Sequence, residues 1–354
     1  MSLHDARHRS FASDNYAGAH PEVLAAMAAA NGGHQASYGH DAYTQRLVQV
    51  LRGHFGEQAE VFPVFNGTGA NVVALTGMLP RWGAVVTTST AHVHTDENGA
   101  PERIGGLKLL TVDTPDGKLT PELIDRQAWG WGNEHRAQPL AVSITQTTEL
   151  GTRYTAREIR AIADHVHAHG MTLHMDGARI ANAAAGLGLP LRELTTAAGV
   201  DILSLGGTKN GALNAEAVVV LDPSVAEGLT YLRKLTMQLA SKMRFVSAQL
   251  LALYEDDLYL RSATHANAMA VRLRTSLEEL VSRGEITGLR FSQPTEANAV
   301  FAVLAPEAAD AIRERFAFYD WNSATGEVRW MTAFDTTEAD VDEFVGVVRG
   351  VLGG

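Results

Sequence analysis

Cysteine is absent from the 354 residues, so no disulfide framework can form, which fits a reducing cytoplasm. Lysine is scarce: only Lys108, Lys118, Lys209, Lys234 and Lys242 are present, and arginine supplies most of the positive charge. Any chemistry that needs a lysine therefore has a short list of candidates. No apolar run is long enough to span a bilayer. Net positive charge is missing too: the formal balance is −11, which argues against general nucleic-acid binding. It leaves room for a local cationic pocket that takes a phosphate or a carboxylate. Residues 1–11 carry Arg7 and Arg9 but no apolar segment, so no signal peptide is expected. There is no internal repeat and no low-complexity linker. What is present is an ordinary 45% of hydrophobic residues, in a chain longer than one core usually serves, so two lobes are expected.

Patterning along the chain predicts alternating strands and helices. Pro21 opens an alanine-rich helix over 24–30, and residues 42–55 repeat apolar positions at helical spacing, with Leu47, Val50, Leu51 and His54 on one face. Strands are predicted at 60–65, 84–88, 108–112, 140–145, 172–175, 201–205 and 217–221. Helices are predicted at 70–78 and at 156–169, the latter stopped by Gly170. This alternation predicts an α/β fold, a mostly parallel sheet flanked by helices on both faces. A helical stretch over 223–260 leads to strand-like segments at 288–291, 299–304 and 327–332, and to a helix after Asp335. These form a smaller α+β C-terminal unit. The expected division is 1–255, an N-terminal segment with the large domain, and 256–354, the small domain.

Three short runs carry chemistry. Asn66-Gly67-Thr68-Gly69-Ala70-Asn71 lies between a strand and a helix, where glycines let N–H groups crowd an anion and the helix N-terminus adds positive character. Alone this is weak, because such turns are common in α/β folds. His174-Met175-Asp176-Gly177-Ala178-Arg179 puts Asp176 at the C-terminal end of a strand, where open sheets bind ligands. Alone, Asp176 is equally well a helix cap. Leu203-Ser204-Leu205-Gly206-Gly207-Thr208-Lys209 ends a strand in a small-residue loop that presents one lysine, which alone reads as a solvated side chain. Together they supply an anion cradle, a carboxylate for a protonated ring nitrogen and an amine for a Schiff base. That is the requirement of pyridoxal 5′-phosphate.

With these runs in place, the sequence resembles the low-specificity L-threonine aldolases, among the fold-type I, aspartate-aminotransferase-like enzymes. The resemblance extends from about residue 11 to 342. Its further marks are Ser13-Asp14-Asn15, Tyr38-Gly39-His40-Asp41, Ala91-His92, Asn210-Gly211 after Lys209, and Val328-Arg329-Trp330-Met331-Thr332. It implies that Gly67 and Thr68 bind the phosphate and that His92 stacks on the ring. It implies that Asp176 pairs with the ring nitrogen and that Lys209 holds the cofactor covalently. Ser13, Arg179 and Arg329 are implied around the substrate carboxylate, Tyr38 beside the site, and Arg244 as a phosphate ligand donated across a subunit interface. The implied reaction is cleavage of L-threonine or L-allo-threonine to glycine and acetaldehyde, in a homodimer built into a homotetramer with shared sites, and the absence of cysteine leads to the expectation of a cytoplasmic enzyme. An aminotransferase or a β-eliminating lyase shares the fold, and fold alone does not separate them. A nucleotide-binding or structural α/β protein is the reading from another class. The glycine loop lacks the Gly-Lys-Ser/Thr ending of a nucleoside-triphosphate site.

Two departures stand out. Many relatives carry a histidine after the strand matching 140–145, in a Glu-Asn-Thr-His run; here the run is Thr145-Gln146-Thr147-Thr148-Glu149-Leu150. His92 or an ordered water is then left to take the substrate's hydroxyl proton, and weak discrimination at Cβ is expected. The second departure is His40 within Tyr38-Gly39-His40-Asp41, where Tyr-Gly-Asp-Asp is common. No metal is expected. His165, His167 and His169 read as a solvated helical face, and His92 with His94 reads better through ring stacking.

Overall fold

A computed structural model describes residues 3–353. Seven strands form one sheet: β1 (Glu60–Val64), β2 (Gly83–Thr88), β3 (Lys108–Val112), β4 (Gln138–Thr145), β5 (Thr172–Gly177), β6 (Ile202–Leu205) and β7 (Glu216–Val220). Their order is β1-β7-β6-β5-β4-β2-β3. The run from β3 to β6 is parallel, and β7 lies antiparallel to both β6 and β1. Strands β2, β6 and β7 are buried at every residue because helices cover both faces. Side-chain alternation shows how. Ile202, Val218 and Val220 pack with Ala70 and Val73 of the helix Gly67–Met78. Leu203, Leu205 and Val219 face the opposite core, which Ile159, Ile162 and Val166 of the helix Ala156–Ala168 also enter.

A second sheet is wholly antiparallel, in the order β10-β11-β9-β8: β8 (Arg290–Phe291), β9 (Ala299–Val303), β10 (Tyr319–Asn322) and β11 (Glu327–Met331). The helices Leu258–Ser282 and Glu338–Leu352 pack on it through Leu273, Leu277, Phe344 and Val348, against Val300, Ala302 and Trp330. Phe11 belongs to this second core. Its N–H donates to Ala317 O (3.0 Å), its carbonyl accepts from Met331 N (2.8 Å), and its ring lies 4.4 Å from that of Phe344. The N-terminal segment is thereby stitched to the second sheet, two residues before Ser13.

The structure places the strands predicted in the first 260 residues to within a few residues, corrects the expectation for 223–260 and adds a strand that was not predicted. The stretch 223–260 is not continuously helical. A short 3-10 turn, Pro223–Val225, precedes the helices Leu229–Leu235, Arg244–Tyr254 and Leu258–Ser282. Gly228 and Asp257 adopt left-handed conformations (φ 72° and 55°) and cap the first and last of these, breaking the run into pieces of different direction. Strand β10 was not predicted. Three of its four residues are exposed, so it shows no buried alternation to read. Among the described residues, no helix is long and apolar enough to cross a membrane.

Deleting the Phe11 ring leaves a cavity between Phe316 and Phe344. Phe11→Ala is expected to lower unfolding stability by about 3–5 kcal/mol and to loosen the segment bearing Ser13 and Asp14, which loses its anchor. Urea unfolding and hydrogen exchange of residues 11–16 on one preparation check both. Lost stability with unchanged exchange at 13–14 would show that the segment does not depend on Phe11.

Candidate active site

The parallel strands end on one edge of the sheet, and the loops leaving β2, β4, β5 and β6 carry His92, Glu149, Arg179 and Lys209. Asp176 lies within β5 and is buried. Its Oδ1 accepts from Ala178 N (3.0 Å) and its Oδ2 from Asn71 Nδ2 (2.9 Å). The helix that supplies Asn71 starts at Gly67, three residues earlier than predicted, because Asn66 caps it by accepting from Gly69 N at 2.7 Å. The N–H groups of Gly67 and Thr68 therefore stand in the first turn, without partners inside the helix. A Cβ at Gly69 would overlap the Gln238 carboxamide, whose Oε1 accepts from Phe65 N at 3.0 Å, so a side chain there pushes Gln238 out of that bond. Gln238 thus closes the cradle, a role not visible in the sequence.

Lys209 sits part-buried in the turn Thr208–Asn210. Glu216, the first residue of β7, holds that loop by accepting from Gly207 N (2.8 Å) and Thr208 N (3.2 Å). Burial pushes the Glu216 carboxyl up to about 7. Burial lowers the Lys209 ammonium below its ordinary value, the Arg179 charge adds to this, and Asp14, Asp176 and Glu216 oppose it.

Arg179 crosses from the end of β5 to the N-terminal segment. Its Nε donates to Asp14 Oδ2 (2.7 Å) and its Nη2 to Asp14 Oδ1 (2.9 Å), a bidentate pair with side chains 13% and 1% exposed. Asn298 Nδ2 gives Asp14 a third hydrogen bond at 3.1 Å. Burial alone would raise the Asp14 carboxyl, but the Arg179 charge and hydrogen bonds hold it below the ordinary carboxylate value. Arg329 on β11 is less satisfied. Its Nε is buried without a partner, its Nη2 makes a long bond to Ala12 O (3.4 Å), and its guanidinium lies 4.7 Å from the Trp321 ring. Burial, with the charge of Arg179, pulls it down to about 10. Ser13 is buried beside this pair, and its Oγ accepts from Asn15 N at 3.2 Å.

His92 begins the short helix after β2. Its Nδ1 lies 2.9 Å from Glu97 Oε1, and its backbone N–H donates to Glu149 Oε1 at 2.8 Å. The carboxylates Glu97 and Glu149 were both missed by sequence reasoning. Within one chain the structure gathers Ser13, His92, Asp176, Arg179, Lys209 and Arg329 around this edge. Tyr38 and Arg244 belong to a different place. Arg244 lines a groove with Gly33, His34, Ser37 and Lys242, and Tyr38 is exposed, its N–H bonded to Ser241 O at 3.0 Å. Of the other histidines weighed from the sequence, His165 meets Asp125 (2.8 Å), His167 meets Asp201 (2.9 Å), His169 stacks on Trp131, and His94 is exposed. His174 is buried between the hydroxyls of Ser143 and Ser204 and is lowered to about 4 by burial, so it stays neutral.

A family model described as beta-eliminating lyase matches residues 10–305. The low-specificity L-threonine aldolase of a Pseudomonas species is 43% identical over 97% of this chain and 98% of its own length, and that of Pseudomonas aeruginosa is 44% identical over 98% of each. The chain belongs to the beta-eliminating lyases and, among them, to the low-specificity L-threonine aldolases. A Leishmania major threonine aldolase superposes with a TM-score of 0.89 at 30% identity, covering 96% of this chain and 98% of that one. A Thermus thermophilus aspartate aminotransferase shares the fold, with a TM-score of 0.69 at 17% identity over 95% of this chain and 94% of that one. The expected fold-type I architecture is therefore borne out, and this chain is an enzyme of the aldolase family.

The residues fit a phosphorylated ring cofactor on the structure's own terms. The cradle offers first-turn N–H groups, the Lys209 amine is desolvated, and Asp176 has carboxylate oxygens bonded to donors in a buried site. Gly69→Ala is expected to displace Gln238 and weaken affinity for pyridoxal 5′-phosphate by about tenfold, the loss of roughly one charge-assisted hydrogen bond. Titration of the apoenzyme by absorbance measures it. Unchanged affinity would remove the cradle from the phosphate site.

Proposed function

We propose that the chain uses pyridoxal 5′-phosphate to cleave L-threonine, L-allo-threonine and related β-hydroxy amino acids into glycine and an aldehyde. The observation that carries this reading is the convergence of Asp176, Lys209 and His92 at one sheet edge with an under-satisfied guanidinium, Arg329, facing Arg179 by charge.

Gly67 and Thr68 would hold the cofactor phosphate through backbone N–H groups and the Thr68 hydroxyl. Lys209 would supply the amine that bonds to the cofactor, and the lowering of its pKa by burial favours the neutral, nucleophilic form. Asp176, buried and held by Asn71 and Ala178, would pair with the ring nitrogen and favour its protonated form. The bound cofactor supplies an electron sink for the bond that breaks. His92 would cover the ring and take the β-hydroxyl proton. Arg329 gains through its Nε the partner it lacks when the substrate carboxylate enters, and Arg179 Nη1 and Ser13 complete the clamp. Holding the carboxylate fixes which bond at Cα is aligned to break.

Tyr38 and Arg244 serve the site of a neighbouring subunit in a homodimer or homotetramer. The unpartnered Arg244 Nε supports this, as does the exposure of Tyr231, Leu235 and Met237 (80%, 75% and 75%) on the segment before it. The lack of cysteine suits a cytoplasmic enzyme.

Product analysis tests the reading. With L-threonine and cofactor, acetaldehyde and glycine should form in equal amounts; a 2-oxo acid instead would make the enzyme an aminotransferase or a β-eliminating lyase. Lys209→Ala should keep the fold and lose at least about 10³-fold in turnover, covalent catalysis and its proton transfers both being removed. Borohydride reduction and peptide mapping should find the cofactor on Lys209, and labelling of another lysine would overturn that assignment. Sharing of sites is tested by mixing Arg244→Ala with Lys209→Ala subunits. Recovered activity in exchanged hybrids is expected, and none despite proven exchange would place Arg244 in its own subunit's business.

A further inference from the structure

The carboxylates around His92 have a direction to them. Glu97 is buried, its side chain 0% exposed, while that of His92 is 36% exposed. The Glu97 Oε1 atom stands 2.9 Å from His92 Nδ1 and also accepts from Asn71 Nδ2 at 2.9 Å. The same Asn71 amide donates to Asp176 Oδ2. One amide thus ties the carboxylate behind His92 to the carboxylate for the ring nitrogen. A second carboxylate, Glu149, grips the backbone N–H of His92 and leaves the ring alone. It occupies the run where many relatives have a histidine. Among the described residues the imidazole has one carboxylate, at Nδ1, and no hydrogen-bond partner at Nε2.

We propose that Glu97 is a positioning residue for the cleavage, acting through His92: it holds the ring as the Nδ1–H tautomer, so that Nε2 is the atom that takes the substrate's β-hydroxyl proton. The inference rests on the aldolase reading and names the proton acceptor within it. A carboxylate oxygen is an acceptor only, so the hydrogen bond at 2.9 Å requires the proton on Nδ1, which fixes Nε2 as the basic nitrogen. The step balances. The hydroxyl proton goes to Nε2, the O–H electron pair becomes the second bond of the aldehyde carbonyl, and the Cα–Cβ bond breaks with its pair left toward Cα. One proton delivered to Cα completes glycine, and Nε2 gives up its proton in the same turnover. The charged groups facing His92 are Lys209 and Asp176 from the ends of β6 and β5, Glu149 from the loop after β4, and Glu97 itself. The Glu97 hydrogen bond is the largest influence and raises the imidazole above its ordinary value; burial and Lys209 oppose it. The basic form is the working form, so activity rises as pH climbs through the His92 pKa.

Two measurements test the proposal. Nitrogen-15 NMR of the full-length protein labelled at histidine, with His92 assigned by its loss in His92→Asn, should show Nδ1 protonated and Nε2 bare above its titration. An Nε2–H tautomer overturns the proposal. This reading needs no turnover, so it stands apart from the product test: an enzyme that fails to release glycine would sink the aldolase reading, with the tautomer still measured. In kinetics, Glu97→Gln should lower kcat by about tenfold or more, within the range general-base assistance supplies, with KM little changed. The acid limb of the pH profile should move to lower pH, because the carboxylate that raised the imidazole is gone. In the His92→Asn background the same substitution should change kcat by less than about twofold, the two residues being one unit. Equal losses in both backgrounds, or an acid limb that does not move, would make Glu97 a structural residue only.

Discussion

The buried ion pair between Asp14 and Arg179 is the constraint on which the site depends. Its two members come from opposite ends of the architecture, Asp14 from an N-terminal segment stitched to the second sheet by Phe11 and Arg179 from the loop after β5. Two charges this deeply buried are costly to leave unpaired; removing one partner of such a pair typically costs about 3–5 kcal/mol. The pair therefore locks the second sheet and its strand β11 onto the edge of the large sheet. That lock brings Arg329 to within electrostatic reach of Arg179 and Asp14. It also spends two of the Arg179 donors on Asp14 and leaves Arg329, its Nε without a partner among the described residues, as the proposed contact for an incoming carboxylate.

Carboxylates hold the side chains and loops of the candidate site in place. Glu216 clamps the loop that presents Lys209, Glu97 backs the His92 ring, Glu149 fixes the His92 backbone, and Asp176 is held by Asn71 and Ala178. Burial raises Glu149 above its ordinary carboxylate value, although the His92 N–H lowers it. A site that gathers this many acidic groups near one lysine and two arginines is one whose protonation is set by burial and partners together.

Much of this was legible in the sequence, and the reason is local. Gly67-Thr68-Gly69, Asp176 and Lys209 each sit where a strand gives way to a small-residue loop, and strand ends are where open sheets place ligands. The strands of the large sheet were legible too, because buried parallel strands are nearly continuous apolar runs. What was not legible depends on partners distant in the chain. Asp14 and Arg179 are 165 residues apart, and nothing near either announces the other. Glu97, Glu149, Glu216 and Gln238 look like surface residues in a linear reading; only the fold reveals the N–H groups and rings they face. The exposed edge strand β10 lacked any pattern, and the stretch 223–260 read as one helix because left-handed caps such as Asp257 carry little signal. The missing histidine after β4 was visible, but not that Glu149 there reaches the backbone of His92.

The central claim is that Asp14 and Arg179 act as one unit in building the substrate site. A double-mutant cycle on kcat/KM for L-threonine tests it most directly, using Asp14→Asn, Arg179→Gln and the combined variant, all loaded with cofactor. If the pair acts as a unit, the combined variant should be no worse than the poorer single variant, a coupling of about 2 kcal/mol or more for a buried, bidentate pair. Losses that simply multiply, with coupling below about 0.5 kcal/mol, would contradict the account.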